Sequence, residues 1–335
     1  MKRLKKLLPL ALTLSLTLTL VAGCSGESAE KEQETIYVDQ VVMEEFDVAD
    51  EAVALAGAPA ALSDMLMPVA SGTQVQQNSR ATIDYSNIAD GYVMVKFTDA
   101  TQTRLKVQVT GPTATYTYDL QPGGEWTTFP LSDGNGAYTV NVLENTSGTK
   151  YAQVLAASFN VTLANEFAPF LRPNQYVNYA NATNTIAKAK ELAGNETDPL
   201  KLVERVYQYV VNDFTYDKEL AATVKSGYLP VLDNVLAAQK GICFDYAAVM
   251  AGMLRSLEVP CKLVTGYVPL GNGQTGYHAW ISVWSGENGW VEGAIYFDGT
   301  TWQRMDPTFA SSANRSESIM QYIGDGSNYS VKYVY

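Results

Sequence analysis

Lys240-Gly241-Ile242-Cys243-Phe244-Asp245-Tyr246-Ala247-Ala248 is the stretch on which the reading of this chain turns. A glycine turn runs into a cysteine, and the cysteine opens an apolar helix whose face continues through Ala247, Met250, Leu254 and Leu257. A thiol at a helix N-terminus meets the positive end of the peptide dipole and unpaired amides, and both favour the thiolate. Gly241 reads as permitting the turn that presents the thiol, and Asp245 as a cap on the same amides.

Working outward, the only histidine of the chain lies downstream in Tyr277-His278-Ala279-Trp280, followed by Met305-Asp306-Pro307-Thr308. Thiol, imidazole and carboxylate in that order point to a nucleophile Cys243, a base His278 and an orienting acid Asp306. Strands are expected at 261–268, 277–284, 295–297 and 302–306. On the second of these, His278, Trp280, Ser282 and Trp284 share one face and Ala279, Ile281 and Val283 the other. Upstream, Asp198-Pro199 caps and opens a helix whose buried stripe is Val203, Val206, Tyr207, Val210 and Phe214. The segment 167–173, with two prolines, reads as an extended connector.

Gly241-x-Cys243-x-Asp245-Tyr246-Ala247, His278-Ala279-Trp280 and Asp306-Pro307-Thr308 together resemble the bacterial transglutaminase-like family of the papain-like superfamily. The resemblance covers roughly residues 174–312. It implies an α+β catalytic domain in which a helix carrying the cysteine packs on an antiparallel sheet. Cys243 would be the nucleophile, His278 the base and Asp306 the third member. It also matches Tyr216 to a recurrent upstream aromatic that assists the oxyanion, beside the Cys243 amide as the other donor.

Two cysteines beyond residue 24 leave a competing arrangement. An exported Cys243–Cys261 pair can be a disulfide, and a bridge there would silence the nucleophile. Alternatively Cys261 is a small buried hydrophobe. One histidine and three cysteines, one of them modified, do not make a zinc site of ordinary Cys/His type, and no cofactor is expected.

The start of the chain reads as an address. Lys2, Arg3, Lys5 and Lys6 precede an apolar run to Leu20, and Val21-Ala22-Gly23-Cys24 resembles a bacterial lipobox. The run is short for a membrane span of about 20 residues. Residues 1–23 are therefore expected to be a signal peptide, with Cys24 lipidated and the protein held on the outer face of a membrane. Removing those four cations from the 23 basic residues leaves 19 against 35 acidic ones, a charge near −16 that argues against nucleic acid as a partner.

Residues 24–78 read as an acidic tether, with ten acidic residues and one lysine between 27 and 51. Residues 79–165 alternate apolar and polar around Gly111-Pro112, Pro122-Gly123-Gly124 and Asp133-Gly134-Asn135-Gly136, the pattern of an Ig-like β-sandwich. Residues 166–335 make up the catalytic domain. The expected activity is a thiol enzyme forming a thioester on Cys243 from amides of extracellular protein or cell-wall peptide. Water then resolves the thioester, as in a peptidase or amidase. Resolution by an amine, giving protein cross-links, and a non-catalytic surface binding module are the alternatives.

Overall fold

Alternation of apolar and polar residues builds the first half of the protein. The computed structural model describes residues 65–270, 274–284, 289–292, 295–297, 302–304 and 330–335. The expected signal segment, the expected lipidation site Cys24, most of the expected tether and Asp306 lie outside the described residues.

Eight strands come first: β1 (Val75–Gln77), β2 (Ala81–Asp84), β3 (Tyr92–Phe97), β4 (Leu105–Thr110), β5 (Thr115–Leu120), β6 (Thr127–Pro130), β7 (Gly136–Ser147) and β8 (Lys150–Val161). They form two antiparallel four-stranded sheets, ordered β1-β2-β3-β6 and β5-β4-β7-β8. In β4 the alternation is complete: Leu105, Val107 and Val109 are buried between half-buried Lys106, Gln108 and Thr110. The inner faces of both sheets share one core, and Tyr118 of β5 meets Phe129 of β6 edge to face at 5.1 Å. The sequence pattern does not mark β1, β2 and β6. They are three or four residues long, and β2 is buried at every position, so it shows no period of two.

The connector is not extended as its prolines suggest. Ala168–Phe170 form a 3-10 turn, and all three residues are buried. Phe167 stands edge-on to Trp284 at 5.1 Å and Phe170 to Trp290 at 5.5 Å, and this aromatic burial outweighs the local preference of the residue before proline. Gly91, at φ 79°, lies so close beneath Pro169 that a Cβ there would sit 2.5 Å from the proline nitrogen.

Five helices follow: α1 (Thr183–Ala193), α2 (Pro199–Asp213), α3 (Lys218–Thr223), α4 (Leu232–Ala238) and α5 (Cys243–Ser256). Asp198 caps α2 by accepting from the Leu200 amide at 3.0 Å, and Leu202, Val203, Val206, Tyr207, Val210 and Val211 bury its inner face. Between the helices, β9 (Thr215–Tyr216) pairs in parallel with β10 (Lys240–Gly241). Then come β11 (Cys261–Leu270), β12 (Gln274–Trp284), β13 (Trp290–Glu292), β14 (Ile295–Phe297), β15 (Trp302–Arg304) and β16 (Ser330–Val334). The order β13-β12-β11-β16 makes an antiparallel sheet, giving an α+β half.

Helix α5 is the axis of this half. Every residue from Phe244 to Ser256 is buried, as expected for a helix apolar on all sides. It packs on β11 and β12 and is flanked by α1, α2 and α4. Arg255, itself fully buried, donates to the backbone oxygens of Cys261 (2.8 Å), Arg172 (3.0 Å) and Tyr335 (2.6 Å). An aromatic bridge joins this half to the first sheets: Tyr335 stacks on Tyr176 at 4.1 Å and stands edge-on to Tyr118 at 5.9 Å.

Candidate active site

The first turn of α5 is held by its own third residue. Ile242 is extended, and its amide donates to Asp245 Oδ2 at 2.8 Å. The first helical bond runs from Tyr246 N to Ile242 O at 3.1 Å. The helix itself therefore leaves the amides of Cys243 and Phe244 without partners, as at any helix start. Cys243 is partly exposed there as a free thiol.

Gly241 serves this turn differently from the sequence expectation. Its φ is not in the left-handed region. What excludes a side chain is space: a Cβ would lie 2.6 Å from Asp245 Cβ and 2.8 Å from Asp245 Oδ2. The left-handed turn falls earlier, at Gln239 with φ 45°, where α4 ends. Asp245 is fully buried, and burial pushes its carboxyl above the ordinary range against the opposing pull of the Tyr228 and Ile242 donors. Tyr228 donates its hydroxyl to Asp245 Oδ1 at 2.7 Å.

Strand pairing brings Tyr216 to the nucleophile's turn. Tyr216 lies opposite Gly241, with the Asp217 amide donating to Gly241 O at 2.8 Å and the Thr215 amide to Gln239 O at 2.9 Å. Asp217 also caps α3 and pairs with Lys240 Nζ at 3.2 Å. These contacts hold Tyr216 two residues from Cys243 in the adjoining strand.

His278 sits on β12, opposite Gly266 of β11, and is 7% exposed. Its ring lies 6.5 Å from Trp280 and nearly parallel to it. The far end of α5 binds the Cys261 backbone oxygen through Arg255, and Cys261 pairs with Val283 of β12. The alternation expected for β12 holds. Ala279, Ile281 and Val283 join the core that contains α5, whereas Trp280 packs with Val264 and Val268 in a separate cluster. By parity Tyr277 turns to the α5 side and His278 to the Trp280 side.

The disulfide alternative does not survive. Both Cys243 and Cys261 are free. Cys243 opens α5, whereas Cys261 is held by Arg255 near the far end of that helix, about 18 Å of rise away and well beyond the roughly 7 Å limit for bridged Cα atoms. Cys261 is fully buried and burial pushes its thiol up to about 12. Among the described residues no group of three or more His, Cys, Asp or Glu is arranged to hold a metal ion.

Tyr228 is the residue the sequence did not disclose. It lies 17 positions before Asp245, in a segment without periodicity, and only the fold brings the two together.

Residues 186–307 match the profile of the transglutaminase-like superfamily. A protein-glutamine gamma-glutamyltransferase of Pseudomonas aeruginosa is 30% identical over 145 residues, which is 40% of this chain and 20% of that protein. The match thus spans about a fifth of the relative's length. Similar solved structures include the periplasmic domain of TgpA from Pseudomonas aeruginosa, bound to ethylmercury (18% identity, 73% of this chain, 78% of that one, TM-score 0.34). Another is red sea bream transglutaminase (15% identity, 65% of this chain, 50% of that one, TM-score 0.29). By the profile, residues 186–307 form a domain of the transglutaminase-like superfamily, and that stretch is similar to part of the bacterial gamma-glutamyltransferase.

Proposed function

We propose that this protein is a thiol enzyme of amide bonds that works through a thioester on Cys243. The observation that carries the reading is a partly exposed free thiol at the first position of α5, in a chain whose sequence holds a single histidine. His278 takes the thiol proton, and the thiolate attacks the amide carbonyl carbon. The Cys243 amide and the Tyr216 hydroxyl donate to the oxyanion. The imidazolium gives its proton to the leaving amine as the C–N bond breaks. Water, deprotonated by His278, then attacks the thioester and restores the thiol. Asp306 holds the imidazole tautomer.

The substrate in this reading is extracellular protein or cell-wall peptide, since lipidation at Cys24 would tether the enzyme to the outer face of a membrane. The N-terminal sheets would serve as an Ig-like module between tether and enzyme. A second resolution of the thioester, by a protein amine, is favoured by the curated relative's name as a gamma-glutamyltransferase.

Incubation with labelled cell-wall peptides and glutamine-containing proteins, with mass spectrometry of the Cys243 adduct and the released product, tests the reading. A free acid supports hydrolysis and an isopeptide supports transamidation. Absence of any Cys243 adduct leaves a binding module instead.

A further inference from the structure

Asp245 creates a problem for the site it caps. Its carboxylate sits at the third position of α5, within reach of the same unpaired amides that an oxyanion on Cys243 would use. A carboxylate that turned to the Cys243 amide would occupy the donor and set a negative charge against a developing one. In the structure it does not turn. Oδ2 is taken by the Ile242 amide at 2.8 Å, one residue before the nucleophile. Oδ1 is taken by the Tyr228 hydroxyl at 2.7 Å. The third side is closed by Gly241, whose missing side chain leaves the room that Asp245 fills.

Tyr228 is placed to enforce this orientation. Its ring stands edge-on to Phe244 at 6.4 Å, and Phe244 meets Tyr176 on another side at 5.7 Å. Tyr176 in turn stacks on Tyr335, so the hydroxyl is aimed from a packed aromatic assembly rather than from a free loop. Burial and the neighbouring carboxylate push the phenol well above its ordinary range, so it stays protonated and donates at any working pH.

We infer that Tyr228 is a positioning residue of the acyl-transfer site, holding the Asp245 carboxylate on the Ile242 amide and away from the Cys243 amide so that the latter remains free to bind the oxyanion. The inference rests on the proposed role of Cys243 as nucleophile. It adds a residue that never touches substrate but decides whether the oxyanion donor is available.

Two reactions of the same thiol separate this role from simple packing. Acylation by p-nitrophenyl acetate passes through an oxyanion; the thiolate bonds to the acetyl carbon and p-nitrophenolate leaves. Alkylation by iodoacetamide displaces iodide and makes no oxyanion. Both rates are read on the full chain, with circular dichroism as the folding control. Tyr228→Phe keeps the ring and removes only the hydroxyl. It is expected to slow the acylation burst about tenfold or more, in the range of losing one oxyanion donor, while alkylation stays within about twofold of wild type. Adding Asp245→Asn removes the competing charge and is expected to recover most of the burst. Equal loss in both reactions, or an unchanged burst, overturns the positioning role alone. A wild-type protein with no Cys243-dependent burst overturns the nucleophile reading and this inference with it.

Discussion

The side chain of Asp245 occupies the space that a side chain at Gly241 would need: a Cβ at 241 would lie 2.6 Å from Asp245 Cβ and 3.0 Å from its carboxyl carbon. The glycine and the acid of the Gly241-x-Cys243-x-Asp245 motif are thus one structural unit, built around the thiol between them.

Gly241→Ala is therefore expected to strain the first turn of α5, with a loss of about 1–3 kcal/mol, the usual range for overpacking. Urea denaturation measures this. Because the nearest clash is with Asp245 Cβ, the same substitution should cost measurably less in an Asp245→Gly background, which lacks that atom, and additive losses would refute the pairing.

The two described cysteines should differ in kind. At neutral pH in the folded protein, iodoacetamide is expected to label Cys243 and spare Cys261, which is fully buried with its thiol pushed up to about 12. Peptide mapping by mass spectrometry reads the sites. His278→Ala should slow Cys243 labelling without opening Cys261. Labelling of both cysteines at similar rates would count against the arrangement.

Tyr216 stands across the β9–β10 pair from Gly241. If its hydroxyl assists the oxyanion, Tyr216→Phe should slow p-nitrophenyl acetate acylation by about tenfold or more, the low end for losing one donor. Iodoacetamide alkylation should change little. Unchanged acylation would leave the Cys243 amide as the donor by itself.

Asp245 makes stability depend on pH in an unusual direction for an acid. Its folded-state pKa is raised by burial. The protonated carboxyl is therefore favoured by folding. Its contribution is fully present below the unfolded value near 4 and is lost as pH rises through the raised value. Denaturation series from acid to neutral pH should show this loss in wild type and a flatter profile in Asp245→Asn. An identical profile in both proteins would remove Asp245 as its source.

Arg255 ties three segments to the far end of α5 through the oxygens of Cys261, Arg172 and Tyr335. Arg255→Ala would strand these buried acceptors and is expected to destabilise by about 3–5 kcal/mol. Thermal or chemical unfolding checks the figure. A loss under about 1 kcal/mol would mean that water or neighbouring donors replace the guanidinium.

Much of the architecture was legible because it repeats. The alternation in β4, β5 and the first half of β7 and the helical stripe of α2 are written in residue periods, which report the burial of one face. β6 and the turn at Ala168–Phe170 were not, since each is short and held by distant aromatic or apolar neighbours. The connector's own prolines even argued for the wrong conformation.

At the thiol the division is sharper. The sequence by itself determined that Cys243 opens an apolar helix, that Asp245 reaches back over its start, and that His278 is the sole imidazole. These are local properties, readable from spacing and residue type. Only the tertiary structure decided that Cys261 lies at the other end of α5 and cannot bridge to Cys243. Tertiary pairing also set Tyr216 beside Gly241, put Tyr277 rather than His278 on the α5 side of β12, and gave Asp245 the hydroxyl of Tyr228. Each of these depends on which segments meet across the core, and packing between elements remote in sequence leaves no period along the chain.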